Sequence, residues 1–414
     1  MLLFIWIACQ TTSEKQSTAS ITYYQDVLPI LSQNCLRCHM GNGPGVGDFS
    51  DPETASQFAE VMLASIEDGR MPPPVSDPAC HDYIDSEKMF ITEESKEVIA
   101  KWIEAGKPIG DAADAPEINL EALKIEDPDI TTYIPAPYTP TYDQPDSEGN
   151  EYRCFVLEHE QDEPFYITEL HPDIDQEAIV HHIVLAKSPR QYLQESAFRT
   201  EGVECMEGAQ GLVQGNSATG AGMIAAWAPG GSPIRFDGGG ILIQPNEVFV
   251  LQVHYYLGSA EEGLADQSGY TMKIASEVDE AILMAPYGYV NFNIPAGDPA
   301  YTYGEQVEVP VDMKIWATFP HMHLLGTGYK LSVMRPDTEE CVVQSDNYDF
   351  NNQLTYQFAD PIQVNRGDSI HWECTWNNST SNPNLYYNPP QDVGFGEKTG
   401  EEMCYAFSLI SLGQ

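Results

Sequence analysis

The sequence predicts a multi-domain chain: a small all-α domain over residues 21–111, then two all-β sandwiches over 151–285 and 286–414. Three observations carry this. A chain of 414 residues exceeds one ordinary core and suggests roughly two to three units. Apolar residues recur at helical spacing before residue 111 and alternate from Tyr152 onward. Between the two patterns, residues 112–150 carry Ala-Pro, Ile-Pro-Ala-Pro, Thr-Pro and Gln-Pro dipeptides among many acids, the composition of a stiff extended connector, part of which is expected to pack on the next domain.

The elements follow in order. Residues 1–8 are apolar and end at Cys9, after which Ser and Thr dominate to Ser20; a leader with a lipoprotein-type cysteine is expected over 1–20, although no Lys or Arg precedes the apolar run. No later stretch reaches the roughly 18 apolar residues that span a bilayer, so membrane attachment is expected only through a lipid on Cys9. Tyr24 to Leu31 leads into the pentad Cys35-Leu-Arg-Cys38-His39. Phe58 to Glu67 predicts an amphipathic helix. A second runs from Ile91-Thr92 through Ile103, with Val98, Ile99, Trp102 and Ile103 on one face and Gly106 and Pro108 closing it. Arg153–Leu157, Ile179–Leu185, Val248–Tyr255, Lys314–His323 and Tyr329–Met334 read as strands between Gly, Pro, Asn and Asp clusters. Many short strands without intervening helices imply sandwiches, with a boundary expected near Met284 to Tyr287.

Composition narrows the partners. With 19 Lys+Arg against 63 Asp+Glu, the net charge of −44 repels phosphate backbones and excludes nucleic acid as a natural partner. Hydrophobic residues at 42% rule out disorder as the source of the acidity, which reads as a solvated acidic surface or an attractor for a basic redox protein. Nine cysteines less Cys9, Cys35 and Cys38 leave Cys80, Cys154, Cys205, Cys341, Cys374 and Cys404. An even remainder suggests disulfides and an exported protein, periplasmic or at the cell surface, although six cysteines allow 15 connectivities.

Two thiols two residues apart can both reach the vinyl groups of one haem, and the adjacent His39 is placed to ligate its iron, so one covalent c-type haem is expected on Cys35 and Cys38. Met71, in Gly-Arg-Met-Pro-Pro-Pro, is the favoured second axial ligand, with His81 and Met62 as alternatives; a packing methionine is the bland reading. Downstream, His321 and His323 sit at i and i+2, so a continuous strand would project both from one face. Met403, in Gly-Glu-Glu-Met-Cys, could add a thioether, and an N,N,S set favours copper over Mg, Ca or Mn. His181 and His182 are neighbours that a regular strand would send to opposite faces, so sharing one ion requires a bulge or twist. His254 could supply a third imidazole there, against the bland alternative of a hydrogen-bonded pair inside a sandwich. His159, His171 and His371 read as structural or surface residues.

Taken in order, Tyr152-Arg-Cys154, Val180-His-His-Ile, Trp227-Ala-Pro-Gly, Leu251-Gln-Val-His-Tyr, Pro320-His-Met-His-Leu-Leu-Gly, Gly367-Asp, Cys374 and Gly400-Glu-Glu-Met-Cys404 resemble the copper type II, ascorbate-dependent monooxygenases, from roughly Tyr133 to the C-terminus. That resemblance implies two jelly-roll-like sandwiches with two coppers facing each other across a cleft. It implies that His181, His182 and His254 hold the electron-accepting copper, and that His321, His323 and Met403 form the catalytic site where O2 and substrate meet. It also implies Cys154–Cys205 and Cys374–Cys404 bridges, leaving Cys80 and Cys341 either bonded across domains or as thiols. The amino-terminal part looks like a small cytochrome c module. One departure stands out: where the peptide-amidating relatives anchor a substrate carboxylate, this sequence has Phe319, Tyr405 and Phe407.

The function expected is a copper monooxygenase that hydroxylates an activated C–H bond of a small apolar, aromatic or cationic molecule. It would use O2 and an external donor, ascorbate-like or a redox protein, with electrons relayed through the haem. The alternative is an exported electron-transfer or copper-binding module without hydroxylase activity, and oxygen consumption separates the two.

Overall fold

The computed structural model describes residues 21–41, 43–118, 124–143, 149–193, 196–205, 222–258, 262–396 and 400–413. The leader expected at 1–20, including Cys9, lies outside them.

Alternating apolar and polar residues build sheets that are buried on one face, as in strand Ser369–Trp376, where every second residue is buried. In the first half, one sheet orders its strands Val203–Glu204, Asn150–Leu157, Glu247–Tyr256, Val180–Pro189 and Met223–Trp227. It packs against Phe165–Asp173, Gly239–Ile243 and Gly269–Ala275 through a core holding Phe155, Ile167, Ile241, Phe249 and Tyr270. In the second half, the sheet Tyr301–Glu308, Ser369–Trp376, Gly326–Met334, Glu339–Ser345 packs on Met313–His321 and Tyr356–Val364 around Ile315, Leu331, Phe358 and Trp372.

The two sandwiches share one sheet across the boundary that the sequence suggested. Strand Glu280–Gly288 contains the expected boundary, and it pairs in parallel with Gly239–Ile241 on one side and antiparallel with Tyr405–Ser411 on the other. One nine-stranded sheet therefore runs through both halves. Part of the connector packs on the first sandwich, where Ile130–Tyr133 pairs with Gly269–Met272 and Ile134 is buried.

The small all-α cytochrome c domain expected at the amino terminus is not what forms. The structure is mostly β-sheet and only 15% helical. Residues 21–111 contribute three α-helices, Leu28–Asn34, Pro52–Glu67 and Glu93–Glu104, the last two capped by Asp51 and Thr92 side chains. Between the second and third helices the chain runs along the second sandwich instead. Val75, Tyr83 and Met89 are buried in that sandwich's core, the Ser76 N–H donates to Tyr356 Oη at 2.9 Å, and the Ile84 N–H donates to the Gln357 carbonyl at 2.8 Å. The physical reason is that these apolar residues follow no helical period, the prolines at 72–74 forbid a helix there, and burial on an existing sheet is their best outlet.

Cysteines 154 and 205 and cysteines 374 and 404 pair as the resemblance implied, and Cys80 pairs with Cys341. That last bridge joins the strap of residues 74–89 to the second sandwich across a sequence separation of 261. Long loops lose the most unfolded-state entropy when closed, so replacing both cysteines by serine is expected to destabilise the protein by about 4 kcal/mol. Denaturant unfolding of the double variant checks this; an unchanged midpoint would show that the packing of the strap suffices.

Candidate metal centres

The strand Val180–Pro189 shifts register against Glu247–Tyr256 between Val180 and His182. That irregularity turns both neighbouring histidines toward His254 of the adjacent strand. His182 Nδ1 lies 3.2 Å from His181 Nδ1 and 3.2 Å from His254 Nδ1. A metal with imidazole bonds of about 2.0 Å in a tetrahedral set holds its nitrogens about 3.3 Å apart, so three converging Nδ1 atoms fit one ion. Among the described residues, this trio is the one group of His, Cys, Asp and Glu that gathers ligand atoms within 4.8 Å of one another. Its outer support is in place: the His254 Nε2–H donates to Asn150 Oδ1 at 2.7 Å, fixing the tautomer that leaves Nδ1 for a metal, and the Tyr152 ring stacks on His254 at 4.1 Å. Desolvation holds His182 and His254 well below the usual imidazole range, reinforced by the neighbouring imidazoles; both are neutral, as ligands must be.

The second centre lies at the end of strand Met313–His321. His323 falls beyond the strand, so the shared strand face expected from sequence does not apply. The two rings nonetheless meet edge to face at 5.2 Å because Met322 is buried as an anchor between them. Glu402 performs the local bracing. Its carboxylate, fully buried, accepts from the His323 N–H at 2.9 Å, the Leu325 N–H at 2.7 Å and Trp376 Nε1 at 3.0 Å. Burial pushes this carboxyl up to about 7, against the hydrogen bonds that hold it down. The His321 Nδ1–H donates to Gln353 Oε1 at 2.6 Å, and the His323 Nδ1–H donates to the Glu401 carbonyl at 3.0 Å. Both bonds place the imidazole lone pair on Nε2. Burial, then His323, pushes His321 down to about 3. Met403 follows Glu402 directly and packs with Met223, Ala226, Phe319 and Phe407. Two imidazoles with a nearby thioether and apolar surroundings suit copper in its reduced form.

His321 adds, after burial and His181, to the lowering of the His182 pKa. Sequence reading missed Asn150, Gln353 and Glu402. Of these, only Glu402 carried a signal, as an acid in an apolar stretch beside a candidate ligand.

Cys35 and Cys38 are free thiols raised by burial to about 12 and about 11. The His39 Nδ1–H donates to the Val46 carbonyl at 3.0 Å, and its ring stacks on Phe49 at 4.4 Å. The donor set fits a covalent haem: two unpaired cysteines and an imidazole whose other nitrogen is tautomerically fixed. The pentad packs on the first sandwich, where a Cβ at Gly230 would sit 3.6 Å from Cys38 Sγ. Met71 is 42% exposed and lines a cavity of about 420 Å³ with Pro72, Val75, Met89 and Gln344, a lining that does not include His39. Of the alternatives, His81 turns its edge to Phe358 of the second sandwich and Met62 is buried among the helices. His159 packs edge-on against Phe165, and His171 Nε2 lies 3.4 Å from the Gly231 carbonyl, away from both centres.

Comparison with known proteins agrees with this geometry. Residues 138–260 match the copper type II ascorbate-dependent monooxygenase, N-terminal domain, and residues 297–409 match the C-terminal domain. The DBH-like monooxygenase protein 1 of Homo sapiens is 27% identical over 271 residues, which are 60% of this chain and 42% of that protein. The dopamine beta-hydroxylase of Canis lupus familiaris is 26% identical over 277 residues, 61% of this chain and 41% of that protein. The chain thus spans well under half the length of these relatives. Both metal centres lie within the matched segments, and the chain belongs to the copper type II ascorbate-dependent monooxygenase family.

Proposed function

We propose that this protein is a copper-dependent monooxygenase that hydroxylates an activated C–H bond of a small apolar, aromatic or cationic molecule, with electrons reaching the coppers from a haem on Cys35 and Cys38. The observation that carries the reading is the pair of ligand clusters of different softness, three imidazoles in one and two imidazoles near a thioether in the other. Bound copper would supply the one-electron chemistry that lets R–H + O2 + 2e⁻ + 2H⁺ become R–OH + H2O. The chain's own residues do the rest. Asn150, Gln353 and the Glu401 carbonyl hold the imidazole protons away from the metal positions.

The substrate reading rests on an aromatic wall beside Met403. Phe319 lies face-on to His321 at 6.0 Å, Tyr405 stacks on Phe407 at 5.3 Å, and Met223, Ala226 and Val184 close the cluster from the first sandwich. Gly288 lets the Tyr405 ring lie on the sheet, because a Cβ there would collide with it. Such a wall excludes water and offers no cation to a carboxylate, and a net charge of −44 disfavours anions further.

A haem would pass electrons singly. His39 is its proposed proximal ligand, and Met71, exposed on the Pro72–Pro74 loop, is the proposed distal one. Export to a periplasmic or cell-surface location is part of the proposal, supported by three disulfides. No helix among the described residues is long and apolar enough to cross a membrane.

Metal and haem analysis of the purified chain is expected to give about two coppers and one covalent haem. The Cys35→Ala, Cys38→Ala double variant should lose haem and slow turnover driven by a protein reductant, while ascorbate still reduces the coppers. Turnover unchanged with every reductant would remove the relay from the proposal. Reduced copper-loaded protein that consumes no O2 with any aromatic or aliphatic candidate would leave an electron-transfer module.

A further inference from the structure

The Cys35–His39 pentad is latched to the strap and seated on the first sandwich. Asn34, buried and directly before Cys35, donates from Nδ2 to the Glu87, Lys88 and Phe90 carbonyls at 3.3, 3.1 and 3.0 Å. Arg37, inside the pentad, reaches the same segment, its Nη1 donating to Met89 Sδ at 3.2 Å. The strap in turn is fixed to both sandwiches: Asp85 accepts from the Ser232 hydroxyl, and the Ile84 N–H donates to the Gln357 carbonyl at 2.8 Å. Arg37, Tyr83, Asp85, Gly230 and Ser232 line one small cavity of about 30 Å³ where pentad, strap and sandwich meet. There the pentad touches the turn 228–232 directly. A Cβ built on Gly230 would stand 3.4 Å from Arg37 Cδ and 3.6 Å from Cys38 Sγ, which is ordinary van der Waals contact. Gly230 has φ +89, a conformation that keeps the position free of a side chain, so the backbone is bare where the sulfur arrives. The turn leads straight to a metal ligand. Trp227 Nε1 donates to the Gly231 carbonyl at 3.2 Å, and Trp227 pairs across the sheet with Ile183, the residue after His182.

We infer that the segment 227–231 is where electrons from the haem enter the first sandwich, with Asn34 and Arg37 as positioning residues that hold the Cys38 edge of the haem against it. The inference rests on the haem relay proposed above for its redox content, whereas the contact of pentad and turn stands without it. Thioether bonds to Cys35 and Cys38 would bring the vinyl edge of the haem to this contact. The step is a single electron: ferrous haem becomes ferric as cupric ion at His181, His182 and His254 becomes cuprous, and no bond is made or broken. A haem on a loose tether would reach the copper only by diffusion, at an effective concentration of about millimolar. A latched one keeps its distance to the copper fixed.

The test uses the full chain carrying haem and oxidised copper. After a light-driven one-electron pulse reduces the haem, its reoxidation should run at a rate independent of protein concentration, in step with loss of the cupric signal of the three-histidine centre. Arg37→Ala leaves the Cys-x-x-Cys-His spacing intact, so haem and copper contents should hold while this rate falls about tenfold, the factor that one charge-assisted hydrogen bond is worth. Arg37→Lys keeps the charge and should recover part of the rate. An unchanged rate in Arg37→Ala, or a wild-type rate proportional to protein concentration, overturns the entry point. A chain purified without covalent haem would overturn the relay itself. The contact would then be read in haem-free protein that combines Cys35→Ala with Gly230→Cys. The added Cβ lies within disulfide reach of Cys38 Sγ, so peptide mapping without reduction should find the two positions joined. A folded variant with Cys38 unpaired would overturn the docking.

Discussion

Met403→Ala is expected to lower product formation by more than about 100-fold, because even outer-shell losses at metal sites reach that size and this change removes a ligand candidate outright. The three-histidine centre should still take up and release an electron at its normal rate. The separation follows from the architecture: Met403 sits on the segment that Glu402 fixes to the second sandwich, whereas His181, His182 and His254 come from two strands of the first. The apolar cluster around Met403 is shared by both sandwiches, so truncation leaves a small void there and a correspondingly modest stability cost of about 2 kcal/mol. Product analysis with stopped-flow reduction and X-ray absorption at the copper edge makes the comparison. Equal loss of both functions would mean unfolding, and full retention of product would assign the thioether to packing.

The copper-free protein should be acid-labile in a narrow window. His182 and His254 have folded-state pKa values well below 6.5, and His321 is pushed down to about 3. A depressed group contributes stability that is complete above its unfolded pKa and is lost as pH falls, since the unfolded chain takes up the proton first. Each such imidazole costs about 1 kcal/mol over the first pH unit below 6.5, so the three together remove about 3 kcal/mol between pH 6.5 and 5.5. Glu402 works in the opposite sense. Its pKa is raised from 4.5 to about 7, so its contribution is present below the unfolded value and is lost as pH rises toward 7; one raised carboxyl offsets only part of the histidine term. Calorimetry in high salt, which screens the acidic surface, should show a fall in Tm of about 2–3 °C over that unit. Bound copper should abolish most of the fall. A flat profile without copper would show that the imidazoles are hydrated in solution.

The candidate ligand residues stood out in the sequence because their chemistry is unusual where it occurs. Paired histidines in strand-like stretches and a methionine beside a cysteine have few packing reasons to exist, and the alternation around Val248–Tyr255 placed His254 on a strand as observed. Their supporters were not legible. Gln353 and Asn150 are ordinary loop or strand-end amides, and nothing local distinguishes an amide that faces an imidazole from one that faces water. The strap failed for a related reason. Val75, Tyr83 and Met89 are too widely and irregularly spaced to mark either periodicity, and the haem pentad upstream drew the whole stretch into an all-α reading that the structure does not support. The merged sheet was hidden because strand pairing between Gly239–Ile241 and Glu280–Ile282 is a long-range choice that alternation alone does not encode.

That pairing has a consequence for modularity. A chain whose two halves met only through side chains could exchange a half with a relative, or be expressed as separate fragments, without touching the backbone. Here strand Glu280–Gly288 lends its hydrogen-bonding groups to both halves, so a cut on either side of it strands a row of N–H and C=O groups at a raw sheet edge. Recombination breakpoints that preserve folding should therefore lie at surface turns within one half, and the junction that sequence alone would choose, at Met284 to Tyr287, is among the worst places to divide the molecule.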